Sequence, residues 1–200
     1  MTTATLRLAR PEDAPAIADI YRPYVTDTVI TFEVDPPGAS DFAERMLAIR
    51  SIAPWLVCEL GGTVVGYAYA GKHHERMAYQ WALNAAVYLS AAHHRRGLGR
   101  ALYTSLFQLL RLQGFCSVHG GITLPNAASV GLHESLGFRR VALYPAIGFK
   151  MGGWHDVGWW QLELRPRLGA PPSLLTPEAA RAAYPEEWDT ALASGQELLR

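Results

Sequence analysis

The chain has 200 residues, half of them hydrophobic, and a mean hydropathy of +0.02, enough to bury a real core in one domain and too apolar for a disordered chain. Its 18 Lys and Arg balance 18 Asp and Glu, with a pI near 7.1, so no global basic field invites nucleic acid. The opening MTTATLRLARPEDAPAIADIY lacks the long apolar core of a signal peptide, and no stretch reaches the ~18 apolar residues of a membrane helix; the expectation is a cytoplasmic protein that works without a membrane.

Along the chain, TLRLA at 5–9 alternates like a strand, and Pro11 then opens a helix through Ala14, Ile17, Ala18 and Tyr21. Ser40 is expected to cap a second helix over 41–52, with Phe42, Met46 and Ile49 on one face. WLVCEL at 55–60, the Gly61-Gly62 turn and TVVGYAYAG at 63–71 read as a hairpin. Residues 81–89, WALNAAVYL, are apolar almost throughout, as a central strand is. The loop HHRRGLG at 93–99 leads into a run with Leu102, Leu106, Leu109 and Leu110 at helical spacing, stopped by Gly114. SVHGGITL is a strand, NAASVGLHESLG a short helix ended by Gly137, and FRRVALYPAIGFKMG and WHDVGWWQLEL are two further strands. Cys58 and Cys116 sit in apolar, strand-like contexts and are expected to be buried free thiols. The result is a mixed α/β domain over 1–164. Residues 165–200 are Pro- and Ala-rich, an appendage with a linker at 165–172 and one or two short helices, the first starting at Thr176-Pro177-Glu178.

The loop at 93–99 carries the first chemical signal. A helix N-terminus has unpaired N–H groups and a partial positive charge, glycine lets a backbone approach a ligand closely, and arginine adds planar donors. Arg95, Arg96, Gly97 and Gly99 therefore suit a phosphate, although the same residues could simply turn a strand into a helix. The stretch is neither a Walker A loop nor the longer dinucleotide fingerprint, and its length suits one pyrophosphate.

The strand VYL, the loop HHRRGLG, an amphipathic helix, the strand GGITLPN and then ASVGLHESLGF together resemble the GCN5-related N-acetyltransferase superfamily. AYQW, LPNAASVGLHESLGF and GFKMGGWHDVGWWQ are similar to its phosphinothricin acetyltransferase group. The resemblance runs from about Leu6 to Leu164 and is strongest over 79–161. It implies an α/β fold with a mixed, mostly antiparallel central sheet flanked by helices, acetyl-CoA as donor, a small primary amine as acceptor, direct transfer in a ternary complex, and a homodimer. It also implies a gap after the strand ending in Val87, Tyr88 and Leu89, where the thioester lies and the strand backbone meets the pantetheine amides. Arg95, Arg96, Gly97, Leu98, Gly99 and Arg100 match the pyrophosphate motif, with His94 in place of the usual Gln or Arg. Asn126 and Ser129 match positions that meet the coenzyme from the other side; a loop residue and a capping hydroxyl are their plain alternatives.

Catalysis is expected from His133, four residues before Gly137, where an imidazole could protonate the departing thiolate. Packing within its helix is the alternative. Asn84 stands where the group has a glutamate proposed as general base; an asparagine cannot take that proton, so Asn84 is expected to orient water or bind substrate. Arg76 matches an arginine near the acceptor, and its fork suits a carboxylate or phosphinate; Phe32 and Tyr79 match aromatics walling that pocket. KHHE at 72–75 departs from the group's aromatic-containing run. The adjacent pairs His73-His74 and His93-His94 point apart on a helix or strand, so no metal site is expected. His155-Asp156 is read as ordering a turn, and Trp154, Trp159 and Trp160 as one stripe of core or dimer contacts. The leading reading is N-acetylation of a small amino-acid-like acceptor of the phosphinothricin or methionine-sulfoximine type. The alternatives are a polyamine or protein N-terminus as acceptor, or an acetyl-CoA-binding protein that has lost transfer with the glutamate.

Overall fold

Alternating burial fixes which side of each strand faces inward. β1 (Ala4–Leu8) buries Ala4 and Leu6, and β2 (Leu56–Leu60) joins β3 (Thr63–Lys72) through Gly61 and Gly62, both at positive φ. β4 (Ala82–Leu89), β5 (Ser117–Leu124), β6 (Arg139–Lys150) and β7 (Gly153–Glu163) follow. In the computed structural model, which describes residues 4–167 and 169–199, these strands make one seven-stranded sheet in the order β1-β2-β3-β4-β5-β7-β6. Neighbours are antiparallel except β4 and β5, which run parallel.

That one exception shapes the molecule. β4 pairs with β5 only over Ala82–Asn84 against Ser117–His119, whereas β5 pairs with β7 along its whole length. β4 stays with β3 as far as Leu89. From Ala85 onward, the edge of β4 that faces β5 has no strand partner.

Helices cover both faces. α1 (Ala14–Thr26) and α2 (Ala39–Ile49) bury Ile17, Tyr21, Phe42 and Met46 against Trp55, Val57 and Tyr67. The expected Ser40 cap is corrected here: α2 starts two residues earlier, with Gly38 at the cap, and the Asp41 carboxylate accepts from the Gly38 N–H at 2.7 Å. A carboxylate there is favoured by the helix dipole as well as by the hydrogen bond. On the opposite face α3 (Leu98–Leu112) seals Leu102, Leu106, Leu109 and Leu110, all at 0 % exposure; each such leucine stabilises by about 1.5–3 kcal/mol. α4 (Ala127–Ser135) follows the cis Leu124–Pro125 bond and ends before Gly137, at φ 93°.

The chain after Leu164 packs back on this second face. α5 (Pro177–Ala183) is capped by Thr176, whose hydroxyl accepts from Ala179 N–H at 3.1 Å. α6 (Pro185–Ala193) places Trp188, 1 % exposed, in the same core cluster as the α3 leucines. Ser105 on α3 donates to the Leu192 carbonyl and accepts from Gly195 N–H, and the Gln196 carboxamide bonds both Leu6 N–H and the Ala4 carbonyl. Cys58 and Cys116 are buried and free, and burial pushes the Cys58 thiol up to about 11. No helix among the described residues is long and apolar enough to cross a membrane.

Candidate active site

The loop between β4 and α3 starts with a 3-10 turn over Ala91–His93 and then passes through Arg95 at φ 59° and Gly97 at φ 79°. Arg95 to Gly97 direct no N–H group to a protein acceptor among the described residues, and the first N–H groups of α3 are free by helix geometry. Together they form a concave set of donors suited to an anion. A side chain at Gly97 would meet nothing within 4 Å, so the loop is open to ligand on that side. Gly99 is different: a Cβ there would press on Leu132 of α4 at 3.3 Å.

Not every basic residue of the loop is available. Arg100 donates to the Ser135 carbonyl at 3.3 Å, capping the end of α4. His94 turns back on the strand: its Nε2 lies 2.9 Å from the Tyr24 hydroxyl and 3.2 Å from the Leu89 carbonyl, and that carbonyl also accepts from Tyr24 at 2.7 Å. Arg95 and Arg96 are left exposed beside the donors. Val87, Tyr88 and Leu89 lie on the unpaired edge of β4 that leads into the loop. Asn126 caps α4, its Oδ1 accepting from Ser129 N–H at 3.0 Å.

His133 sits at the far end of α4 and is only 4 % exposed. Its Nδ1 is 2.8 Å from the Ser129 carbonyl and must donate there, which leaves Nε2 as a bare lone pair. That Nε2 is buried without a partner, facing Gly120 closely enough that a Cβ there would lie 2.7 Å away. Tyr103 and Phe138 wall the ring edge-on, and burial lowers its pKa. A neutral ring with no hydrogen on its inner nitrogen has no proton to give a thiolate. In this arrangement His133 packs α4 against β5, with its inner nitrogen facing Gly120.

The opposite face of the sheet holds the acceptor-side candidates. Residues 27–38 lie over it, tied down by the Tyr21 hydroxyl to Thr31 and Glu33, by Arg45 as a two-pronged donor to Glu33, and by Lys150 Nζ to the Thr31 carbonyl at 2.8 Å. Phe32 covers Gly148 so closely that any side chain there would collide with its ring, and it lies 6.5 Å from His155. His155 and Asp156 lie within β7 rather than in a turn; Asp156 accepts from Ala146 N–H and His155 bonds the Lys150 carbonyl, bracing β6. The three tryptophans separate: Trp160 is core, Trp159 lies over Gly121, and Trp154 is 67 % exposed.

Asn84 closes the narrow end of the gap, at its last paired position opposite His119. Its Oδ1 lies 2.8 Å from His73 Nδ1, and His73 stacks on His119 with ring centres 4.4 Å apart. His73, Tyr79, His119 and Gln161 line a cavity of about 670 Å³ that Arg165 and Arg167 also border. Arg76 does not join it. With Lys72 and His74 it borders a smaller hollow of about 240 Å³, which shares only Tyr79 and Ala82 with the larger one. The sequence shows His73 only as one of an adjacent pair, because its alignment with His119 depends on the register of β3, β4 and β5. Among the described residues no group of three or more His, Cys, Asp or Glu is placed to hold a metal.

Residues 6–159 match the acetyltransferase (GNAT) domain family. The chain is similar to the phosphinothricin N-acetyltransferase of Streptomyces viridochromogenes, 41% identical over 172 residues, covering 86% of this chain and 93% of that one. It is also similar to an L-methionine sulfoximine/L-methionine sulfone acetyltransferase of Salmonella typhimurium, 36% identical over 80% of this chain and 94% of the relative. Among solved structures it is similar to a putative acetyltransferase of Salmonella typhimurium with its cofactor acetyl-CoA, with TM-score 0.81 and 33% identity, covering 85% of this chain and 98% of that one.

Proposed function

The chain belongs to the GNAT acetyltransferase family, and from that premise we propose that it moves the acetyl group of acetyl-CoA to the amine of a small amino-acid-like acceptor of the phosphinothricin or methionine-sulfoximine type. The observation that carries the reading is the gap between β4 and β5, which starts at Asn84 and His119 and leads along the free edge of β4 to the open donors of the 95–100 loop. An extended pantetheine arm fits an unpaired strand edge, because its amides can complete the ladder. The pyrophosphate fits backbone N–H groups flanked by Arg95 and Arg96. In this reading Val87, Tyr88 and Leu89 hold the arm, Gly97, Leu98 and Gly99 shape the phosphate end, and Arg100, Asn126 and Ser129 support the helices around it.

The acceptor enters from the other face, under residues 27–38. Phe32 and Tyr79 wall that side, and Arg165 and Arg167 offer guanidinium forks to a carboxylate at the cavity of about 670 Å³. Arg76 serves the outer hollow. The chain is further proposed to work as a homodimer. β6 is an edge strand, and it and its hairpin present Val141, Ile147, Phe149 and Trp154 exposed to solvent, an apolar strip of the kind that marks an interface.

Turnover measured as thiol release across a panel of phosphinothricin, methionine sulfoximine, common amino acids, a polyamine and a peptide N-terminus tests the assignment, with acetyl-CoA affinity measured alongside. The expected result is the highest kcat/KM on the small amino-acid analogues. Preference for the polyamine or the peptide would overturn the acceptor class, and coenzyme binding without turnover on any amine would overturn transfer itself.

A further inference from the structure

His73 and Asn84 face each other across the β3–β4 pair. His73 follows β3, its N–H paired to the Ala82 carbonyl of β4, and its ring reaches diagonally to Asn84. The carboxamide oxygen is an acceptor, so the hydrogen of His73 lies on Nδ1 and the Nε2 lone pair is free. No protein atom bonds that Nε2, yet it is not among the atoms sealed from solvent, and the ring borders the cavity of about 670 Å³. His133 presents the opposite case, with its Nε2 shut in beside Gly120. A neutral imidazole oriented through Nδ1 by a neutral amide, with Nε2 open to a cavity at the narrow end of the donor gap, has the form of a held general base.

We infer that His73, positioned by Asn84, is the general base that accepts the proton of the acceptor ammonium. This rests on the amine-acetylation reading above. The ammonium gives one proton to His73 Nε2. The neutral amine then forms the N–C bond at the thioester carbonyl, the C–S bond breaks, and the departing thiolate takes a second proton from the same nitrogen. The third N–H remains as the amide, and the imidazolium returns its proton to water.

The surroundings allow a single charge to appear there. From β5, His119 stacks on the ring, and burial together with its His73 neighbour lowers the pKa of His119, so it stays neutral beside a charged His73. From β7, Trp159 meets His73 edge-on and Gln161 lines the same cavity as His119. Tyr79 approaches at 6.2 Å from the turn over Met77–Tyr79, Arg165 and Arg167 border the same cavity, and next along the chain Lys72 pairs with Glu75 while His74 packs on Tyr79. His119 itself is the weaker candidate, because its Nδ1 is already engaged by the Leu83 carbonyl at 3.4 Å and burial lowers its pKa.

The test is the pH profile of kcat/KM for wild type, His73→Ala and Asn84→Ala on an amine that wild type acetylates, between about pH 6 and 9.5, with and without added imidazole. His73→Ala is expected to lose about a hundredfold at pH 7, to recover part of that above the pKa of the amine, and to be partly rescued by imidazole, with acetyl-CoA KM within about twofold of wild type. Asn84→Ala should lose less and move the acidic limb of the profile. A His73→Ala profile that overlies wild type overturns the inference alone. So does a loss equal at every pH and untouched by imidazole, which marks packing. Wild type inert toward every amine overturns the acetylation reading and the base with it.

Discussion

Replacing Gly97 with valine separates a phosphate cradle from a simple turn. The backbone there is left-handed, at φ 79°, and a Cβ would touch nothing within 4 Å. The substitution therefore introduces no collision in the free protein, only the conformational penalty of an L-residue in the left-handed region, about 1–2 kcal/mol. The loop can relieve that strain by relaxing, but relaxation turns its N–H groups away from their common focus. Coenzyme binding must then restore the strained form, so the same 1–2 kcal/mol reappears as a loss of affinity of roughly 5- to 30-fold. Gly62, in the β2–β3 turn, supplies the matched control: its φ is +83° and its Cβ direction is equally open. Isothermal titration with acetyl-CoA, paired with thermal melts, reads both quantities. Gly62→Val should lower the melting temperature and leave affinity alone, whereas Gly97→Val should weaken binding. If a folded Gly97→Val protein binds as tightly as wild type, or if both variants weaken equally, the loop is only a turn.

The other expectations concern burial, the tail and assembly. Because burial lowers the pKa of His133, the unfolded chain binds more protons at acid pH, so stability is full above about 6.5 and falls as pH drops below it. Denaturant midpoints for His133→Gln should fall less over that range, and an unchanged acid slope would refute the reading. His133→Ala, if folded, should keep kcat within about tenfold, and a loss of a hundredfold or more would restore the general acid. Trp188→Ala should destabilise by about 3–5 kcal/mol while sparing acetyl-CoA affinity, and a melt near wild type would show that the C-terminal segment is not part of the core. Phe149→Asp should convert a dimer to a monomer by sedimentation, and an unaltered mass would move the interface elsewhere.

Much of the architecture was legible because its signals are local. The alternation in TLRLA, the Gly61-Gly62 turn, the leucine spacing of α3 and the stops at Gly114 and Gly137 each act within a few residues. What stayed hidden depends on pairs distant in the chain. Nothing local says that β5 leaves β4 after His119, since both strands are apolar. His73 and Asn84 are eleven residues apart and become partners only through the β3–β4 register. His133 was legible as an unusual residue but not as a sealed one, because which face of β5 it meets is a tertiary fact. The sparse apolar residues of 173–199 look weak alone and find their mate on α3, with Trp188 and Ala191 filling a surface laid down long before them.

The Gln196 side chain has a consequence for how the chain is made. β1 is an edge strand, and one carboxamide supplies both a donor to the Ala4 carbonyl and an acceptor for the Leu6 N–H, as a neighbouring strand would. Because Gln196 follows Leu6 by 190 residues, β1 waits for that distant segment to be synthesised before its outer rim is covered. Until then the nascent sheet shows a bare strand to other chains, the pairing template from which aggregation starts. A stalled or prematurely terminated product ending before Gln196 is therefore a predicted client of the chaperones that meet chains at the exit tunnel. Once the turn over Gln196–Leu199 is in place, it conceals that edge.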